Sequence, residues 1–175
     1  MEPDRNVAKH RNTIALAGLR IAVGCLFLVF AQYKVFGTQF TLGGLFEKWI
    51  NGFLQGGATY PFMVPVPRNL VLLHAKAIAF LVAYGELAIG LSLVLGILVR
   101  AASAFGLVYM LVLLFSSNYP GTQVAIWRYF GASLDHSVLA LCFLTFLVGH
   151  SDQALSLRRY LFRRRTATGE GSGSA

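Results

Sequence analysis

The sequence predicts an all-α membrane protein: a four-transmembrane-helix bundle with an interfacial amphipathic helix between helices one and two. Three observations carry that prediction. Apolar residues make up 56% of the 175-residue chain and charged residues only 13%, about half the share a soluble domain carries. The apolar residues fall into long uninterrupted runs. The chain's net charge of +8 is clustered at the ends and loops between the runs rather than spread along it.

The first run, 13–36, follows a short basic segment, 1–12, with Arg5, Lys9 and Arg11. A bilayer crossing needs about 20 apolar residues, and this run exceeds that. It is also too long for the core of a signal peptide, and Arg20 and Lys34 fit that alternative poorly. Residues 42–54 place Leu42, Leu45, Phe46, Trp49, Ile50 and Phe53 at helical spacing on one face, the pattern of a helix lying in a membrane surface. The prolines of 60–69 then preclude regular helix. With Trp49 and Tyr60 this stretch reads as a cap on one side of the membrane.

Two further spans are expected over 71–99 and 101–118, with Arg100 as a tight junction that makes them antiparallel neighbours. Ala101, Ala102, Ser103, Ala104 and Gly106 would allow close helix approach. A second aromatic loop, with Tyr119, Trp127 and Tyr129, precedes the fourth span, 134–150. Its apolar part is short, about 22 Å of helix. The expected domain is 13–161, followed by a disordered tail, 162–175. Basic residues concentrate at both ends and at Arg100, which places both termini in the cytoplasm and the aromatic loops outside. In a bacterium this is the inner membrane. The arginine-rich stretch 156–165 is expected to meet anionic lipid rather than nucleic acid. Cys25 and Cys142 sit singly in apolar runs, as packing residues, and no metal motif is present.

Ionisable groups at membrane depth are expensive and direct the search for a site. Glu86 is the foremost candidate. It lies 14 positions before Arg100, ~21 Å of helix from the inner end and near mid-bilayer. Arg20 is its expected partner, because an unpaired buried charge is costly. That pair is either structural or a proton-handling, quinone-contacting unit. A second group, Lys34, His74, Lys76, Asp135 and His136, is expected beneath the amphipathic cap. Lys34, His74, Asp135 and His136 are the candidate ligand-binding residues. Haem or chlorophyll ligation is disfavoured, since no histidine pair shares a helix at ligand spacing.

The first run, LRIAVGCLFLVFAQYKVFG, resembles the opening pattern of the DoxX family through Arg20, Gly24, Phe27 and Lys34. The stretch GELAIGLSLVLGILVRAAS resembles that family's Glu-bearing helix and the arginine that follows. The close, VGHSDQALSLRRYL, is similar to the family's ending, but Arg158 stands where an acidic residue is common. The resemblance spans roughly 15–161 and implies a four-helix membrane bundle in which Arg20, Lys34, Glu86 and Arg100 are the recurring polar positions. Some members resemble the small subunit of thiosulfate:quinone oxidoreductase, and the long insertion over 37–70 is similar to the DoxD branch. The function expected first is an accessory subunit of a larger electron-transfer or photosynthetic membrane complex, not an enzyme on its own. The alternatives are a quinone-linked oxidoreductase subunit using Glu86 and a small transporter. The expected partners are the lipid bilayer and other membrane subunits; the residues fix no cofactor, and the quinone-linked alternative would take a quinone.

Overall fold

A computed structural model of the chain describes residues 3–130, 135–149, 151 and 154–157. The expected tail over 162–175, most of the arginine stretch and the edges of the fourth span at 134 and 150 lie outside the described residues. Among the described residues the chain is wholly helical: α1 Pro3–Phe36, α2 Thr38–Thr41, α3 Leu45–Gln55, α4 Ala75–Leu95, α5 Val99–Ser117 and α6 Asp135–Val148. Three helical segments are long and apolar enough to cross a membrane: His10–Phe36, Ala75–Leu95 and Val99–Ser117. α6 is apolar but shorter, at 14 residues.

α1 begins well before its apolar run, because Pro3 is acceptable in a first helical turn and nothing in residues 4–12 breaks a helix. α1 packs chiefly on α4, and α5 chiefly on α6. The α1–α4 crossing is close. A β-carbon on Gly24 would lie 2.9 Å from Val94 Cγ2, and one on Gly90 would lie 2.8 Å from Leu28 Cδ2. Small residues at such a crossing let two backbones approach. The α4–α5 turn is made by Gly96 at φ 70 and Leu98 at φ 53. Arg100, expected as the junction itself, sits in the first turn of α5. The reversal needs left-handed backbone, which glycine supplies and arginine disfavours.

Two cores divide the bundle. The larger joins Val23 and Phe27 of α1, Ile89 and Leu93 of α4, Met110 of α5, and Phe143 and Phe146 of α6. Phe27 meets Phe143 edge to face at 5.2 Å between centroids. The smaller joins Phe40 and Phe46 of the α2–α3 segment to Ala75, Ala79 and Ala83 of α4. Outside both cores the helices present Leu26, Phe30, Leu81, Phe105, Val108 and Leu141 to the surroundings. An apolar exterior of this kind suits lipid rather than water.

The α2–α3 segment sits where it does because of stagger. Lys34, two residues before the end of α1, pairs with Glu86, eleven residues into α4. The first turns of α4 therefore overhang the end of α1 by more than 10 Å, and α2 and α3 pack against that overhang. Gly44, at φ 78, turns the chain into α3. The prolines leave 61–64 as turns, and a short helical step leads into a π-helical turn, Pro67–Val71. Tyr60 ties this loop to the end of α5. Its N–H donates to Phe115 O at 2.9 Å and its hydroxyl to Tyr129 O at 2.5 Å. Burial, then Tyr129 and Tyr119, push the Tyr60 hydroxyl above its ordinary pKa, so it remains a donor.

Candidate functional site

Stagger and cap together enclose a cavity of about 430 Å³. Its walls come from α1, α2, α3, the π-helical turn, α4, α5 and the start of α6. Most of the lining is aromatic or aliphatic, with Phe27, Phe40, Trp49, Ile78 and Met110 among the contributors. Polar groups enter at two places.

The inner place is a buried triad. Lys34 Nζ donates to Glu86 Oε1 at 2.6 Å and Oε2 at 2.7 Å, and Tyr109 Oη donates to Glu86 Oε1 at 2.5 Å. Lys34 and Glu86 are 6% and 5% exposed. Taking such a pair out of water is costly unless its geometry is good and further hydrogen bonds help. The bidentate contact and the tyrosine supply both. The ammonium also lies 5.2 Å from the centre of the Phe40 ring and 5.6 Å from that of Tyr33, where ring quadrupoles favour a cation.

The outer place is a polar string at the ends of α5 and α6. Ser117 Oγ donates to Asn118 Oδ1 at 2.8 Å, and His136 Nδ1 lies 2.9 Å from the same oxygen. Asp135 opens α6, where a carboxylate suits the helix dipole, and its Oδ1 accepts the His136 N–H at 2.8 Å. His136 Nδ1 is 3.4 Å from that carboxylate. Asp135 is largely exposed and His136 mostly covered, so the string runs from the surface into the cavity.

Of the residues expected to converge beneath the cap, Lys34, Asp135 and His136 line the cavity together with Glu86. His74 does not. It is exposed, and its Nδ1 lies 3.2 Å from Leu70 O. Lys76 lines a separate hollow on the other side of the cap.

The expected pairing of Arg20 with Glu86 is corrected. Arg20 is wholly buried, and it donates from Nη1 to Ser151 O at 2.9 Å and from Nη2 to Leu155 O at 2.8 Å. The reason is register. Gly24 meets Leu93 and Val94; Arg20 lies four residues before Gly24 and Glu86 seven before Leu93, so about three helical turns, ~16 Å, separate Arg20 from Glu86 along the antiparallel pair.

Tyr109 was invisible to a search for charges. One signal would have found it: Glu86 and Tyr109 stand at nearly equal chain distances on either side of the Gly96–Leu98 turn. Antiparallel neighbours place such residues at one depth. Tyr109 is also the sole tyrosine within α5.

Among the described residues, three helices long and apolar enough to cross a membrane and a polar cluster at the wall of an apolar cavity suit a multi-pass membrane protein. The DoxX family model matches residues 15–118, and the chain belongs to the DoxX family. No curated protein and no solved structure matches it.

Proposed function

We propose that this chain is the quinone-binding membrane subunit of an electron-transfer assembly, with the ring of the quinone held between Glu86 and the cap. The cavity carries this reading. Small-molecule sites are typically concave, about 300–1,000 Å³, apolar, and equipped with a few convergent polar groups. A quinone offers a flat apolar ring and two carbonyl oxygens. Lys34 and Tyr109 bring two donors to one end of the cavity, and His136 lies toward the other. Reduction of a quinone consumes two electrons and two protons. Glu86 is the group placed to hold and pass a proton, and the exposed Asp135 beside His136 links the cavity to the surface. The sequence carries no thiol pair and no haem-ligand spacing, so electrons enter from a partner subunit.

In this reading α6 is the fourth span, completed by the residues that follow it, and α3 lies along the outer membrane surface. Both ends of the chain face the cytoplasm of a bacterium, as the clustered basic residues favour. A transporter is less well supported, because the cavity's polar groups pair with one another instead of lining a path.

Trp49 reports on the cavity directly. In a Trp127→Phe background, incorporated in lipid nanodiscs, decylubiquinone should quench Trp49 fluorescence saturably. Glu86→Gln and Lys34→Met should each weaken that binding tenfold or more. Absence of saturable quenching in the parent protein overturns the reading and leaves a purely structural subunit.

A further inference from the structure

The cavity between Glu86 and the cap reaches the outside, and the residues at its mouth indicate what passes through it. Among the described residues, five that line it are also exposed: Phe30 and Tyr33 of α1, Trp49 of α3, Val112 of α5 and Asp135 of α6. Four of these five are apolar or aromatic. Such a rim suits a ligand that arrives from lipid. A strongly hydrated ligand would lose its water there with little in return.

Phe30 and Tyr33 set the depth of the mouth. Both belong to the apolar segment His10–Phe36. They lie six and three residues before the end of α1, roughly 9 and 5 Å along the helix. The mouth therefore opens within that segment and not at its end. Leu26, Val29, Phe30 and Tyr33 are all exposed, and their helical spacing aligns them as one strip on α1. The strip runs from near the middle of the segment to the mouth. Inside, aromatic rings continue the line. The Phe40 ring lies 6.4 Å from that of Tyr33, 5.7 Å from that of Trp49 and 5.2 Å from the Lys34 ammonium. An apolar path thus joins the exterior of α1 to the Lys34–Glu86 pair. At about 430 Å³, the cavity is near the small end of the range for drug-sized ligands. It has room for a substituted ring but not for a long chain as well.

We propose that the ligand is a bilayer-dissolved quinone with a long isoprenoid tail, which enters sideways from lipid past Phe30 and Tyr33 and leaves its tail along the strip from Leu26 to Tyr33. The ring passes the aromatic rim and comes to rest beside Lys34. The tail stays in the bilayer and packs against α1 by van der Waals contact, the force left to apolar groups already surrounded by lipid. The proposal rests on the quinone reading of the cavity and adds the ligand's class, its route and the place of its tail.

The test is photolabelling of the full chain in lipid nanodiscs with a ubiquinone analogue that carries a diazirine at the far end of a decyl tail. Mass spectrometry locates the label. Probe dissolved in lipid marks every lipid-facing helix, so only label that decylubiquinone displaces is counted. That label should fall on α1 between Leu26 and Tyr33, and a large excess of decylubiquinone should cut it about tenfold. Displaceable label on α5 around Val112 overturns the route. Displaceable label at Ser117 or His136 places the tail inside the cavity and also overturns it. Saturable quenching of Trp49 with no displaceable label on α1 overturns the proposal and leaves the quinone reading standing. Absence of saturable quenching removes the quinone reading itself, so the two failures are told apart.

Discussion

Arg20 and Lys34 are both buried cations on one helix, and they sit in different settings. Arg20 is surrounded by protein and gives its hydrogen bonds to two backbone carbonyls beyond the end of α6. Those acceptors are fixed by the fold and cannot exchange a proton. Lys34 gives its hydrogen bonds to a carboxylate at the wall of a cavity. That acceptor can change protonation, and a ligand can compete for the donor. Burial alone therefore does not mark a functional charge. A cation that donates to a carboxylate beside open space is placed for chemistry in a way that one packed inside the protein is not.

The contrast is sharpest where stability is measured. Arg20→Met keeps much of the volume but strands two carbonyls and removes two charge-assisted hydrogen bonds. A loss of about 4 kcal/mol is expected, read by denaturant titration in micelles. Substitution at the Lys34–Glu86 pair should behave differently. Lys34→Met alone leaves a buried carboxylate without its cation and should cost about 3 kcal/mol. Adding Glu86→Gln removes that charge as well, and the double variant should recover to within ~1 kcal/mol of the parent, because replacing both members of a buried pair is often nearly neutral. Quinone binding should stay lost in the double variant. If the double variant is no more stable than Lys34→Met, the Lys34–Glu86 pair is a fastening like Arg20, and the contrast fails.

The same two residues show how far the sequence could be read. Composition and apolar runs gave the helices, and periodicity gave the amphipathic α3, because each depends on neighbours along the chain. Glu86 was legible because a carboxylate in an apolar run is costly wherever its partner lies. The partner was not legible. Pairing across helices depends on stagger, and stagger is set by Gly24 meeting Leu93 and Val94 and by the cap filling the overhang of α4. Fourteen residues of α1, about 21 Å of helix, separate Arg20 from Lys34, so the stagger alone decides which cation faces Glu86. His74 was misjudged for a related reason. It sits at the N-cap of α4 with non-helical dihedrals, and its ring folds back to within 3.2 Å of Leu70 O.

The smallest expected effect on stability tests the triad most cleanly. Tyr109→Phe keeps the ring and deletes only the hydroxyl that donates to Glu86 Oε1. Lys34 still neutralises the carboxylate, so the loss of stability should be about 1 kcal/mol, that of one hydrogen bond. Quinone binding should suffer more than stability. If the hydroxyl turns from Glu86 to a quinone carbonyl, its deletion removes a ligand donor and weakens binding roughly tenfold, worth about 1.4 kcal/mol. A tyrosine serving only the ion pair would leave quinone affinity unchanged. Stability and affinity measured on this one variant therefore separate a residue that steadies Glu86 from one that also reaches the ligand, on the side of the molecule where Arg20 has no counterpart.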